Sequence, residues 1–350
     1  MKRQEPSPSR RVLTRRRFVV ESGLAAAGAA LAVTPIRGRA NDAAPAPGEA
    51  TPPIPRKTLG RTGLDVSILG LGTALLGHQN GNNPEIPKLV GVFSEAIDRG
   101  INYVDTARMY GGAEKALKEV LSSRRDKAYI ATKVWANDAA TAEKLFHESL
   151  KTLGLERVDV LHLHSAGDKD IDKVLGKGGA WEFLEKAKAS GKARFLGITG
   201  HSRPANFVRL LETGSVDVIM VAMNFIDRHI YGFEEKVLPA AQKHKTGILA
   251  MKVYGGVKAG TSGGGFEHYS SKTPHPSHMD PKLHERSIAY AKSLEGVSAL
   301  VIGVHTREQL VENIRRVVTT EPLSKEAFDA LCAEGKTLAA GWTPRFGPVT

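Results

Sequence analysis

The segments NYVDTA (102–107), AYIATKV (128–134) and VDVLHLH (158–164) decide how this chain reads. Each is short, rich in β-branched and other apolar residues, and followed by a stretch with helical spacing. Strands that alternate with helices in this way predict parallel β/α units. The three segments also bring Asp105, Lys133 and His164 to or near strand ends, with Tyr110 five residues past Asp105. In a parallel β/α barrel, side chains at the carboxyl ends of the strands share one pocket. A carboxylate, a phenol, an ammonium and an imidazole gathered there would form a proton-delivery device.

Outward from these segments the alternation continues. KTLGRTGLDVS (57–67) holds a Gly-Arg-Thr-Gly turn between short extended pieces, predicting a hairpin that closes the barrel floor. ILGLGTA (68–74) is the first barrel strand. Leu89, Val92, Phe93, Ala96 and Ile97 then repeat at helical spacing, with Gly100 as the stop. Ala113, Ala116, Leu117, Val120 and Leu121 form the next apolar stripe. Further helices are expected near 141–153, 181–190, 204–213, 233–243 and 306–318, and further strands at 194–199, 217–224, 247–253 and 298–304. The sum is an α/β chain folded as a (β/α)8 TIM barrel, with an N-terminal hairpin and a C-terminal extra helix within 323–340. One connection breaks the rhythm: residues 254–281, rich in Gly, Ser, Pro and His, read as a flap over the pocket.

A single barrel of roughly 250 residues or more accounts for the length without a second large domain. The formal charge of +12 suggests nucleic acid, but its distribution argues against that partner. Residues 1–40 hold nine Lys or Arg against two Glu, so +7 of the excess sits in the leader. The rest carries no basic run interleaved with aromatics. In the leader, Thr14-Arg15-Arg16-Arg17-Phe18-Val19-Val20 resembles a twin-arginine export signal. The uncharged stretch Ser22–Thr34 is too short for a stable membrane span and suits a signal-peptide core. The expected organisation is a signal peptide over 1–40, a Pro- and Ala-rich linker over 41–54, and the barrel over 55–350. The export machinery is then a partner and the bacterial periplasm the destination. The lone Cys332 excludes an intrachain disulfide or a Cys-ligated iron–sulfur cluster.

Taken together, DTARMYGGAEKAL (105–117), ATKV (131–134), VDVLHLH (158–164), SGKARFLGIT (190–199) and VIGVHTREQLVENI (301–314) resemble the aldo/keto reductase family from Pro55 to about Thr320. That resemblance implies NAD(P)H-dependent reduction of a carbonyl compound, or the reverse oxidation of an alcohol. It makes Tyr110 the general acid, Lys133 the group that holds its pKa down, Asp105 the anchor of Lys133, and His164 the group that orients the carbonyl. A phenol near pKa 10 is a poor acid at neutral pH, so some such device is needed. One ammonium about 4 Å away at an effective dielectric near 20 supplies about 4 kcal/mol, or about three pKa units.

For the cofactor, the resemblance implies Gly72, Thr73, Asp105, Gly200, His201, Met251, Lys252, Gly303, Arg307, Glu312 and Asn313. Arg307 facing a 2′-phosphate favours NADP, with NAD as the alternative. Gln309 replaces an arginine usual in the family, Gly200-His201 a Ser-Asn pair, Met220 a glutamine and Met251 a stacking aromatic. Trp135 is expected to wall the substrate pocket. Two other readings compete with catalysis by Tyr110. The fold is reused as a non-catalytic cofactor-binding module, and His162 with His164, on one side of a strand, suggests a metal-dependent hydrolase.

Overall fold

The computed structural model describes residues 50–74, 86–255, 279–342, 344 and 346–350. The expected signal peptide, the linker up to residue 49 and most of the 254–281 connection lie outside the described residues. The end of the linker touches the barrel: Thr51 Oγ1 accepts from Arg99, and Ile54 packs against the core.

The N-terminal hairpin pairs β1 (Arg56–Thr58) antiparallel with β2 (Asp65–Ser67) around a tight turn at Gly60–Thr62. Leu59, Leu64 and Val66 are buried and pack with Tyr103, Val160, Val218 and Leu249, which face the barrel interior. The hairpin therefore plugs the floor, as its sequence suggested.

Eight parallel strands close the barrel in chain order: β3 (Leu69–Gly72), β4 (Tyr103–Asp105), β5 (Tyr129–Val134), β6 (Val158–Leu163), β7 (Ala193–Gly200), β8 (Val218–Ala222), β9 (Gly247–Met251) and β10 (Val297–Gly303). The seam joins β10 to β3, with Gly303 opposite Gly72, so the barrel sheet itself has no free edge. Every residue of β6 is buried, as expected of a strand covered on both faces. Two carboxylates at the floor tie neighbouring strands together. Asp159 accepts from the Ile130 amide and pairs with Arg125 and Arg194 at 2.9 and 2.8 Å. Asp217 does the same with the Leu196 amide, Arg61 and Lys188.

The outer layer comprises α1 (Ile86–Asp98), α2 (Ala113–Leu121), α3 (Ala139–Leu153), α4 (Ile171–Leu175), α5 (Ala180–Ala189), α6 (Pro204–Leu211), α7 (Phe233–Lys236), α8 (Leu238–Lys243), α9 (His284–Ser293), α10 (Arg307–Thr319) and α11 (Lys325–Ala339). Their ends follow ordinary capping chemistry. Asp138 caps α3 through the Thr141 amide, Thr306 caps α10 through Gln309, and Ser324 caps α11 through Ala327.

Three details depart from the expected layout. The helix expected over 233–243 is two helices, because Pro239 has no amide to continue the ladder. Helix α9 was not expected: its buried face includes Ser287 and Tyr290, which hide the apolar period. Helix α4 is too short to show one. Helix α11 lies outside the barrel, where His229 Nε2 meets the Cys332 carbonyl at 2.7 Å. No helix among the described residues is long and apolar enough to cross a membrane.

Candidate active site

The strand ends converge on Lys133. Its ammonium is buried, donates to Asp105 Oδ2 at 2.6 Å and to the Thr106 carbonyl at 2.8 Å, and lies 4.6 Å from the centre of the Tyr110 ring. Asp105 ends β4 and Lys133 is the penultimate residue of β5, so adjacent strands supply both partners. Burial works against the charge on Lys133. Asp105 and Tyr110 outweigh it and hold the ammonium above the ordinary lysine range. Asp105 Oδ1, also buried, finds no partner among the described residues.

Tyr110 sits in the turn between β4 and α2. Its amide donates to the Ala107 carbonyl, and its own carbonyl accepts from Ala113 at 2.7 Å. Glu114, buried at the start of α2, braces this turn by accepting from Thr132 Oγ1 and Arg108 Nη1, each at 2.9 Å. The phenol is not made acidic, contrary to the expectation from Lys133 alone. Burial raises it above its ordinary value, and the opposing pull of Lys133 is the smaller effect. Desolvation penalises the phenolate, so the hydroxyl keeps its proton at neutral pH.

His164 completes the cluster just beyond β6. Its ring meets Tyr110 edge-on at 5.7 Å between centroids, and Trp135 at the same separation. Burial first, then Lys133, push its pKa well below the imidazole range, so the ring is neutral. His162 is fully buried inside the barrel, with its Nε2 3.3 Å from the Tyr103 hydroxyl. It fills a barrel layer and is likewise held neutral by burial. No group of three or more metal-ligating side chains exists among the described residues, so this histidine pair gains no third ligand there.

The residues assigned to the cofactor divide into two sets. Around the cluster, Thr73 donates from amide and hydroxyl to the Asp105 carbonyl at 3.0 Å, with Gly72 just before it beside Gly303. Lys252, in left-handed backbone at φ 56°, has its carbonyl held by Asn224, and its charge acts on Asp105. Gly200 and Met251 end their strands at the same mouth. The His201 ring lies 5.0 Å from that of Phe346, tilted by 32°, bringing the C-terminal segment to the end of β7.

The second set lies on α10. Arg307 pairs with Glu95 at 2.9 Å, Glu312 with Arg315 and Arg316, and Asn313 accepts from the Tyr254 hydroxyl at 3.0 Å. Gln309, which stands where an arginine is usual, accepts from the His305 amide and completes the helix cap instead.

Sequence reasoning missed Glu114, Lys169 and Phe346. Glu114 stood inside the quoted motif, where a buried carboxylate looks like any helix-start glutamate. Lys169, five residues after His164, lies 4.2 Å over the Trp135 ring.

Comparison with known proteins places the chain in a family and a fold. The model of the aldo/keto reductase family matches residues 68–333. An L-galactose dehydrogenase of Arabidopsis thaliana is 28% identical over 300 residues, covering 78% of this chain and 91% of that protein. An uncharacterized oxidoreductase of Bacillus subtilis is 26% identical over 313 residues, covering 80% and 96%. Among solved structures, an aldo-keto reductase of Klebsiella pneumoniae in complex with NADPH superposes with a TM-score of 0.61. It is 21% identical and covers 81% of this chain and 95% of that one.

Proposed function

The chain belongs to the aldo/keto reductase family, and from that premise we propose that it reduces an aldehyde or ketone to an alcohol, or runs the reverse oxidation, with NADPH as the favoured nucleotide and Tyr110 as the proton donor. The observation that carries this reading is the buried Lys133 ammonium, paired with Asp105 at 2.6 Å and lying against the Tyr110 ring beside a neutral His164.

The residues at the mouth fit a nicotinamide nucleotide. Asp105 Oδ1 is a buried acceptor without a partner among the described residues, and Gly72, Thr73, Gly200 and Met251 surround the same strand ends. On α10, Arg307 and Asn313 would take the adenosine end after exchanging their present partners, Glu95 and Tyr254. When bound, the nucleotide supplies a hydride to the carbonyl carbon. Tyr110 releases its proton to the carbonyl oxygen. Lys133, kept charged by Asp105, offsets the cost of the phenolate left behind: about 4 kcal/mol at 4–5 Å with an effective dielectric near 20. His164, neutral and edge-on to Tyr110, orients the carbonyl oxygen without competing for the proton.

The test is NADPH consumption by the full chain over a panel of aldehydes, ketones and quinones, with Tyr110→Phe alongside. The reading predicts turnover that the variant loses by about 100-fold or more. No turnover with any carbonyl, or equal rates for both proteins, overturns it.

The leader belongs to the same proposal. Arg15-Arg16 ahead of an uncharged core supports export to the periplasm by the twin-arginine route, with the folded protein carrying its nucleotide. Replacing both arginines with lysine should retain the protein in the cytoplasm. Exported protein that releases no nucleotide on denaturation would refute co-export of the cofactor.

A further inference from the structure

The turn after β6 carries a buried cation that forms no salt bridge or hydrogen bond among the described residues. Ser165 enters it in left-handed backbone at φ 53°, and Ala166–Asp168 form a single tight helical turn. Gly167 lies so close to Ser202 that a methyl group there would stand 2.0 Å from the Ser202 carbonyl oxygen. This close approach fixes where Lys169 leaves the turn. Lys169 is only 6% exposed, and its Nζ is buried with no hydrogen-bond partner among the described residues. It lies 4.2 Å over the ring of Trp135, whose own ring meets His164 at 5.7 Å.

The neighbouring acids are engaged elsewhere. Asp168 accepts from Ser202 Oγ at 2.9 Å, and Asp170 caps α4 and pairs with Lys173. A buried ammonium without an acceptor is costly, and the face of an indole compensates only in part. Burial lowers its pKa to about 8, against the pull of Asp168, so it is still mostly charged at neutral pH. Its field reaches His164, the residue that faces the reacting carbonyl.

We propose that Lys169 is the anion-recognising residue of the substrate pocket, and that the preferred substrate is a carbonyl compound bearing a carboxylate. The carboxylate pairs with the Lys169 ammonium beside Trp135, while the carbonyl lies between His164 and Tyr110. This rests on the reductase reading for the reaction but not for the binding. Lys169 is a specificity residue and takes no part in proton transfer.

Two measurements on the full chain test it. The first compares kcat/KM with NADPH for succinic semialdehyde and carboxybenzaldehydes against their methyl esters, in wild type, Lys169→Met and Lys169→Arg. Wild type should favour each acid over its ester by at least about 30-fold, the scale of a buried charge pair, and lose that preference in Lys169→Met through a raised KM. The ester rates should change less than about twofold, and Lys169→Arg should retain part of the preference.

The second follows tryptophan fluorescence of the nucleotide-free protein during titration with benzoate and with benzamide. Benzoate alone should produce a saturable change, absent from Lys169→Met. If wild type uses acids and esters equally well, or Lys169→Met loses both together, the assignment is overturned while the reductase reading stands. If benzoate binds through Lys169 yet no carbonyl is reduced, the anion site holds and the reductase reading fails.

Discussion

Gly197 on β7 and His162 on β6 occupy one space: a methyl group on Gly197 would lie 2.2 Å from His162 Nδ1. The two residues are opposite each other in the strand register. The imidazole therefore fills the barrel layer because its neighbour has no side chain. Gly197→Ala should destabilise the protein by about 1–3 kcal/mol, the usual cost of overpacking. In a His162→Ala background the same change should cost less, because only the Val218 carbonyl oxygen, 2.9 Å away, then stands close to the methyl group. Equal costs in the two backgrounds, read from urea unfolding, would separate the residues.

Lys133→Met should be more damaging to the fold than Tyr110→Phe. Phenylalanine retains the ring against the Lys133 ammonium, and the phenol hydroxyl contributes chemistry rather than packing. Methionine leaves Asp105 buried without its cation, a loss of about 3–5 kcal/mol. Thermal unfolding of the two variants should differ accordingly, although both should lose activity. Similar melting temperatures would argue against a buried ion pair.

Activity toward an uncharged substrate should be insensitive to pH across the neutral range. Burial keeps the Tyr110 phenol protonated beyond its ordinary value and keeps His164 neutral, so neither group titrates near neutrality. For an uncharged substrate such as a methyl ester, which does not depend on the Lys169 charge, kcat/KM for reduction should be flat from about pH 6 to about pH 9 and fall only as the phenol loses its proton. A break near pH 6.5 that disappears in His164→Asn would contradict the neutral assignment.

Stability should decline on the acid side. His162 and His164 are held below their ordinary value by burial, and His284 is held at about 4. Groups depressed in the folded state contribute fully above about pH 6.5 and lose that contribution as pH falls. Glu234, raised to about 7 by burial, acts in the opposite direction: its contribution is present at low pH and is lost as pH rises through 7. Asp105, also raised by burial, acts in the same direction as Glu234, but three histidines outweigh these two carboxyls, so the urea midpoint should drop between about pH 6.5 and pH 5. His162→Gln should flatten the slope.

The two ends of the barrel should respond differently to loss of a carboxylate. Asp159→Ala at the floor deprives Arg125, Arg194 and the Ile130 amide of a shared acceptor, and should cost about 2–4 kcal/mol of stability. Purified Asp159→Ala that remains folded should retain its kcat, because the floor carries no chemistry. Asp105→Asn at the mouth should lose most of the rate and, because it leaves the Lys133 ammonium buried without its carboxylate, about 3–5 kcal/mol of stability as well. A large kcat loss in Asp159→Ala would show that the floor and the mouth are coupled.

Much of the barrel was legible because local patterns repeat. Short apolar strands and 3.6-residue stripes located every barrel strand to within a residue or two. Legibility failed where burial and apolarity part company, as in α9, which buries Ser287 and Tyr290. It also failed at Pro239, which divides one expected helix into two.

What the sequence determined by itself was the strand–helix alternation, the floor hairpin, and the strand ends at which Asp105, Lys133 and His164 would meet Tyr110. These follow from neighbours along the chain and from the period of the side chains. Only the tertiary structure decided that burial outweighs Lys133 and leaves the Tyr110 phenol protonated, that Arg307 rests on Glu95, and that Lys169 lies over Trp135 with no hydrogen-bond partner among the described residues. Those outcomes depend on how much water each group loses and on which distant groups arrive beside it, and neither quantity is written in the order of residues.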